Sequence, residues 1–169
     1  MALKSESLDT AIELEEKGYN FYVEAAQNTD NEFSKKVLKS LAEQELIHKK
    51  RFEEIAAGKD IVTEGLGQDD IEETIKGIFE AADVKEKEDW KDGETDAYEK
   101  ALEMEKKTYN VYKDMLSETD DEQEQVFLKA LMKEESKHEE SLQNVIYYLT
   151  DYTWWLADDE SQTWNWMNI

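Results

Sequence analysis

Between residues 8 and 26 the chain places Leu8, Ile12, Glu15, Tyr19, Tyr22 and Ala26 at steps of 4, 3, 4, 3 and 4. Alternating steps of three and four keep side chains on one face of an α-helix. The spacing predicts a first helix to about Gln27. The same rhythm carries Leu38, Leu41, Glu45, His48, Phe52 and Ile55 and predicts a second helix over about 30–57. A third is predicted over about 94–117 through Tyr98, Leu102, Glu105, Tyr109, Tyr112 and Leu116. A fourth, over about 120–150, follows Leu128, Leu131, Glu135, His138, Leu142 and Val145. Each stripe is apolar or aromatic except near its middle, where one carboxylate, or a carboxylate and an imidazole, breaks it.

The third and fourth stripes repeat the first and second at an offset of 90 residues. Aligned without gaps, 11–55 and 101–145 share about 15 of 45 positions. That self-similarity indicates an internal repeat of two αα-hairpins, 8–57 and 94–150. Thr29 with Glu32, and Thr119 with Glu122, predict capping boxes for the second helix of each hairpin. Thr10 with Glu13 predicts another, unless the first helix already begins near Ser7. Gly58 reads as a helix stop.

Residues 58–93 have no counterpart after the second hairpin. Asp69 begins a predicted helix through Ile71, Ile75, Ile78, Phe79 and Ala82, followed by a charged stretch, Trp90 and the break at Asp92-Gly93. This segment reads as a long crossover with its own helix. From Asp151 onwards Trp154, Trp155, Trp164 and Trp166 form an aromatic tail, expected to pack on the bundle or on a second subunit. The whole is expected to be one all-α domain, a four-helix bundle of repeated hairpins.

The chemistry lies in the interrupted seams. The only two histidines, His48 and His138, each follow a glutamate by three residues, so each pair shares a helix face. Glu15 and Glu105 each precede those glutamates by 30 residues. A buried carboxylate must be paired, protonated or bound to a cation. Four helices offering Glu, Glu-x-x-His, Glu and Glu-x-x-His inward match a carboxylate-bridged pair of metal ions. Four carboxylates balance two divalent ions, and two neutral imidazoles complete the set. Glu45 and Glu135 are expected to bridge, with Glu15 and Glu105 terminal and one histidine per ion. Oxygen and imidazole donors without thiolates suit Fe(II), Mn(II) or Zn(II). Tyr22 and Tyr112 are the candidates for orienting a ligand carboxylate through their hydroxyls. No catalytic residue beyond these is singled out.

Composition narrows the functions. The net charge of -23, from 43 acidic and 20 basic residues, argues against nucleic acid or an anionic membrane as partner. With no cysteine there is no disulfide and no thiolate site. No leader-like segment and no run long enough to span a bilayer is seen, so a soluble cytoplasmic protein is expected.

The phrases AIELEEKGYNFY and ALEMEKKTYNVY, each followed by Glu-x-x-His, resemble the rubrerythrin-type branch of the ferritin-like superfamily over about residues 8–150. The resemblance implies a ferritin-like bundle and a non-haem di-iron centre. It further implies reduction of hydrogen peroxide or dioxygen in oxidative-stress defence. Two departures stand out. Rubrerythrins end in a four-cysteine rubredoxin-like domain, so here an external electron-donor protein or small reductant is expected. They also carry a further glutamate three residues from the ligand of the third core helix; here the positions around Glu105 hold Leu102 and Thr108. The metal movement that extra ligand supports is therefore not expected. Ferroxidation with iron storage, a dimanganese catalase and a structural bundle with a vestigial site remain as alternatives. A homodimer or small homo-oligomer is expected.

Overall fold

The computed structural model describes residues 5–63, 66, 70–82 and 94–150. It contains helices α1 (Ser5–Asn28), α2 (Glu32–Ala56), α3 (Ile71–Ala81), α4 (Glu94–Glu118) and α5 (Glu122–Thr150), with no strand among the described residues. Trp90 and the tail tryptophans lie outside the described residues.

The helix ends follow local chemistry, and three expected caps are corrected. Asn31, not Thr29, caps α2: its Oδ1 accepts from the Ser34 amide at 2.8 Å. Thr29 stands two residues further out and accepts from the Asn31 amide at 3.1 Å. In the second hairpin Asp121 takes the cap, accepting from the amides of Gln123 and Glu124 at 2.9 and 3.2 Å. An Asn or Asp acceptor directly before the first turn outcompetes a threonine two residues upstream. Thr10 lies inside α1, where its hydroxyl donates to the Glu6 carbonyl at 2.8 Å. At the end of α2, Gly58 adopts φ 79°. Its amide and that of Lys59 then donate back to Ile55 and Glu54, a glycine-dependent helix stop.

The buried stripes are wider than single seams. In α1, Ala11, Leu14 and Gly18 are buried beside Leu8, Glu15, Tyr22 and Ala26, whereas Ile12 and Tyr19 are only half-buried. The apolar side chains form two clusters. One gathers Tyr22 and Ala26 from α1, Phe33 to Ala42 from α2, Tyr98 and Ala101 from α4, and Leu142 and Val145 from α5. The other gathers Leu8 and Ala11, Phe52, Tyr112 and Met115, and Phe127 to Leu131. Each of the four long helices therefore runs from one cluster to the other. α1 and α5 run one way; α2 and α4 run the other.

That polarity explains the crossover. α2 ends at the second cluster and α4 begins at the first, so the connection must travel the length of a 25-residue helix, about 37 Å. Ile61 and Leu66 pack against the second cluster, and α3 with the Ala82 that follows it then places Ile71, Ile75, Phe79 and Ala82 in the first. Asp70 caps α3 through the Glu72 amide at 3.0 Å and also accepts from Lys137 of α5. No helix among the described residues is long and apolar enough to cross a membrane.

Candidate metal centre

Between the two apolar clusters lies a polar layer. Glu15, Glu45, His48, Glu105, Glu135 and His138 are each 0–2% exposed. All six meet there, because each long helix brings its polar interruption to the same level. Two sets emerge. Glu15, Glu45, His48 and Glu135 offer donor atoms within 4.8 Å of one another, and so do Glu45, Glu105, Glu135 and His138. Glu45 and Glu135 belong to both sets, as carboxylates shared between two cation positions would.

Both imidazoles turn Nδ1 towards this centre. His48 Nδ1 lies 3.1 Å from Glu135 Oε1 and 3.5 Å from Glu15 Oε2. His138 Nδ1 lies 3.3 Å from Glu45 Oε1 and 3.5 Å from Glu105 Oε2. The rings are nearly parallel, at 13°, with centroids 5.7 Å apart.

These are close approaches rather than hydrogen bonds. Both oxygens of Glu15 and of Glu135, Glu45 Oε1 and both Nδ1 atoms are buried without a hydrogen-bond partner among the described residues. Each such orphan costs about 1–3 kcal/mol. Seven converging orphans, all hard oxygen or imidazole donors, fit divalent cations and fit little else.

Electrostatics agree with that reading. Burial pushes the carboxyls of Glu45 and Glu135 well above the usual carboxylate range. Glu15 and Glu105 push Glu45 further, and Glu105 pushes Glu135. Burial pulls both imidazoles down, but the surrounding carboxylates, led by Glu15 for His48 and Glu105 for His138, carry them well above the ordinary histidine value. Burial also opposes ionisation of Glu105, yet His138 beside it holds its carboxyl below the usual range. Without a cation, protons would have to supply the positive charge.

The two tyrosine candidates part company. Tyr22 donates its hydroxyl to Glu105 across the bundle. Burial and the carboxylates of Glu105 and Glu45 keep that phenol protonated by raising its pKa well above 10. Tyr112 is equally buried and its ring packs on Phe52 at 5.4 Å, but its hydroxyl bonds to nothing among the described residues.

Two contributors escaped the sequence reading. Gly18 is buried against Glu45, where a Cβ would stand 2.3 Å from Oε2, so only glycine leaves that carboxylate its place. Glu134, adjacent to Glu135, is buried and lies 2.5 Å from His48 Nε2. A signal for Glu134 existed. Phe127, Leu131, Glu134, His138, Ser141 and Val145 step by 4, 3, 4, 3 and 4 and are all buried. It is a second stripe that shares three members with the first.

No curated protein and no solved structure matches the chain. The family model for rubrerythrin, in contrast, matches residues 6–146, which take in all but the outermost ends of the four long helices and every residue of the polar layer. The chain belongs to the rubrerythrin family.

Proposed function

We propose that this protein is a di-iron carboxylate oxidoreductase that reduces hydrogen peroxide, or dioxygen, with electrons from an external donor. The observation that carries the reading is the pair of donor sets sharing Glu45 and Glu135. Glu15 and His48 would complete one ion's shell, and Glu105 and His138 the other's. Manganese and zinc suit the same donors; family membership favours iron. Held by these residues, two ferrous ions would supply the two electrons that, with two protons, reduce one hydrogen peroxide to two waters, and would themselves end ferric.

The chain's own residues set the conditions. The apolar clusters on either side keep bulk water from the layer. Tyr22 orients Glu105 and retains its proton. Re-reduction is assigned, in this proposal, to an external donor, another protein or a small reductant. Protein loaded anaerobically with two equivalents of Fe(II) should consume about one hydrogen peroxide per iron pair, faster than free Fe(II) does. A rate equal to that of free Fe(II) would overturn the proposal. An iron-storage role would instead require a large hollow shell. Size-exclusion chromatography is expected to return a small oligomer.

A further inference from the structure

Although the halves repeat, they differ around the two imidazoles. His48 is gripped from both sides by consecutive residues of α5. Glu135 Oε1 lies 3.1 Å from Nδ1, and Glu134 Oε2 lies 2.5 Å from Nε2. Glu134 is itself only 7% exposed, so little water screens its charge. An Nε2–H donated to Glu134 leaves the lone pair on Nδ1, aimed at the centre, and makes that nitrogen a stronger donor. His138 also aims Nδ1 inward, but its Nε2 has no hydrogen-bond partner among the described residues. The position 90 residues before Glu134 holds Gln44, so the first hairpin cannot supply a carboxylate from the matching place.

Resting on the di-metal reading above, we infer that Glu134 is a positioning residue that makes the two cation positions unequal, so that the His48 position fills first and holds its ion more tightly. Three effects act together. The ring of His48 is held in one orientation, with Nδ1 aimed at the centre, before any ion arrives. Its donor atom is more basic than that of His138. A fifth buried carboxylate adds negative potential on that side alone. Tyr22 acts in the opposite sense on the other side, because a hydrogen bond to Glu105 withdraws charge from a carboxylate of the His138 set.

The test uses the full chain and Co(II), which stays divalent in air and scatters anomalously. Ion-free wild type and Glu134→Gln are titrated calorimetrically. Crystals of each are grown with one Co(II) per chain. Glutamine keeps the shape and an acceptor oxygen but removes the charge, and its melting curve reports whether the fold is intact. Wild type should bind two ions in two steps, with the anomalous density at one equivalent concentrated beside His48. In Glu134→Gln the tighter step should weaken by about 10–100-fold while the weaker step changes little, and the density should spread over both positions. Equal density in the wild type would overturn the inference, as would a variant whose two steps are unchanged or weaken together. Failure of wild type to bind any Co(II) would overturn the di-metal reading itself, a different result. Should Glu134→Gln melt far below wild type, Glu134→Asp, which keeps the charge, is expected to restore the unequal filling. An equal distribution in Glu134→Asp would count against it.

Discussion

Gly18→Ala separates the site from the fold. Gly18 lies inside α1, where glycine is about 1 kcal/mol less favourable than alanine. Helix propensity alone would therefore raise the stability of the ion-free protein, shifting its melting temperature up by about 2–4 °C for a chain of this size. The new methyl, however, would stand 2.3 Å from Glu45 Oε2, 3.0 Å from Cδ and 3.3 Å from Cγ. Ordinary contact begins near 3.4 Å, so the carboxylate must retreat by about 1 Å. The tip of a glutamate can rotate away at little cost to folding. A metal ligand cannot, because a bond of about 2.0–2.2 Å tolerates no such displacement. Glu45 belongs to both donor sets, so both ions should suffer. We expect the two-ion affinity to fall at least 10–100-fold, the size of a lost supporting contact, while the ion-free melting temperature holds or rises. The assay pairs calorimetric titration with Co(II) and melting curves of the ion-free protein. Gly77→Ala in α3 is the control, since a Cβ there meets nothing within 4 Å and should leave ion binding alone. Unchanged stoichiometry and affinity in Gly18→Ala would refute the reasoning, because Glu45 would then not need the place it occupies.

Tyr22→Phe should destabilise the protein by about 1–3 kcal/mol, since it orphans a buried Glu105 oxygen, whereas Tyr112→Phe should be neutral or slightly stabilising; chemical denaturation of both checks the contrast. Ion binding should release protons. Glu45, Glu135, His48 and His138 all have raised pKa values, so the ion-free site holds protons that a cation must displace, and affinity should climb with pH. Calorimetry in two buffers of different ionisation enthalpy should find release of about two or more protons per chain, and a buffer-independent enthalpy would contradict it. Asp70→Ala should cost about 1 kcal/mol by uncapping α3 and freeing Lys137. Burial opposes ionisation of Asp70, but Lys137 and the α3 amides hold its carboxyl below the usual range. Its contribution is therefore present above the unfolded value of about 3.9 and is lost as pH falls through the lower folded value. Amide exchange in α3 should accelerate in the variant at neutral pH.

What the sequence revealed and what it concealed follow from one geometric fact. A helix face repeats every three or four residues, so any residue that must sit in a seam prints itself as a break in an apolar rhythm. Glu15, Glu45, His48, Glu105, Glu135 and His138 are such breaks, and all six meet in one layer. The five-helix order, including α3 in the crossover, was legible for the same reason: Ile71, Ile75 and Phe79 keep that period and are buried. Residues whose role depends on a neighbouring helix leave fainter traces. Glu134 reads as surface charge until α5 is seen to bury two stripes rather than one. Gly18 reads as a weak helix position until Glu45 of α2 is seen to need its missing side chain. The caps failed for another reason. Thr-x-x-Glu fits the capping pattern, but Asn31 and Asp121 stand nearer the first free amides, and distance decided. The departures from symmetry matter most for chemistry. Duplication supplied two equal half-sites, and the halves differ both within the apolar clusters (Leu8 against Tyr98, Val37 against Phe127, Phe52 against Leu142) and in or beside the polar layer (Gly18 against Thr108, Gln44 against Glu134). Packing demands on Leu41 and Leu131, or on Tyr22 and Tyr112, are alike in the two halves and hold the residue type constant. The unequal affinity inferred above puts the opposite demand on the surroundings of the ions, and a difference between matched positions that touch the polar layer, as at Gln44 and Glu134, is then the place to look for it.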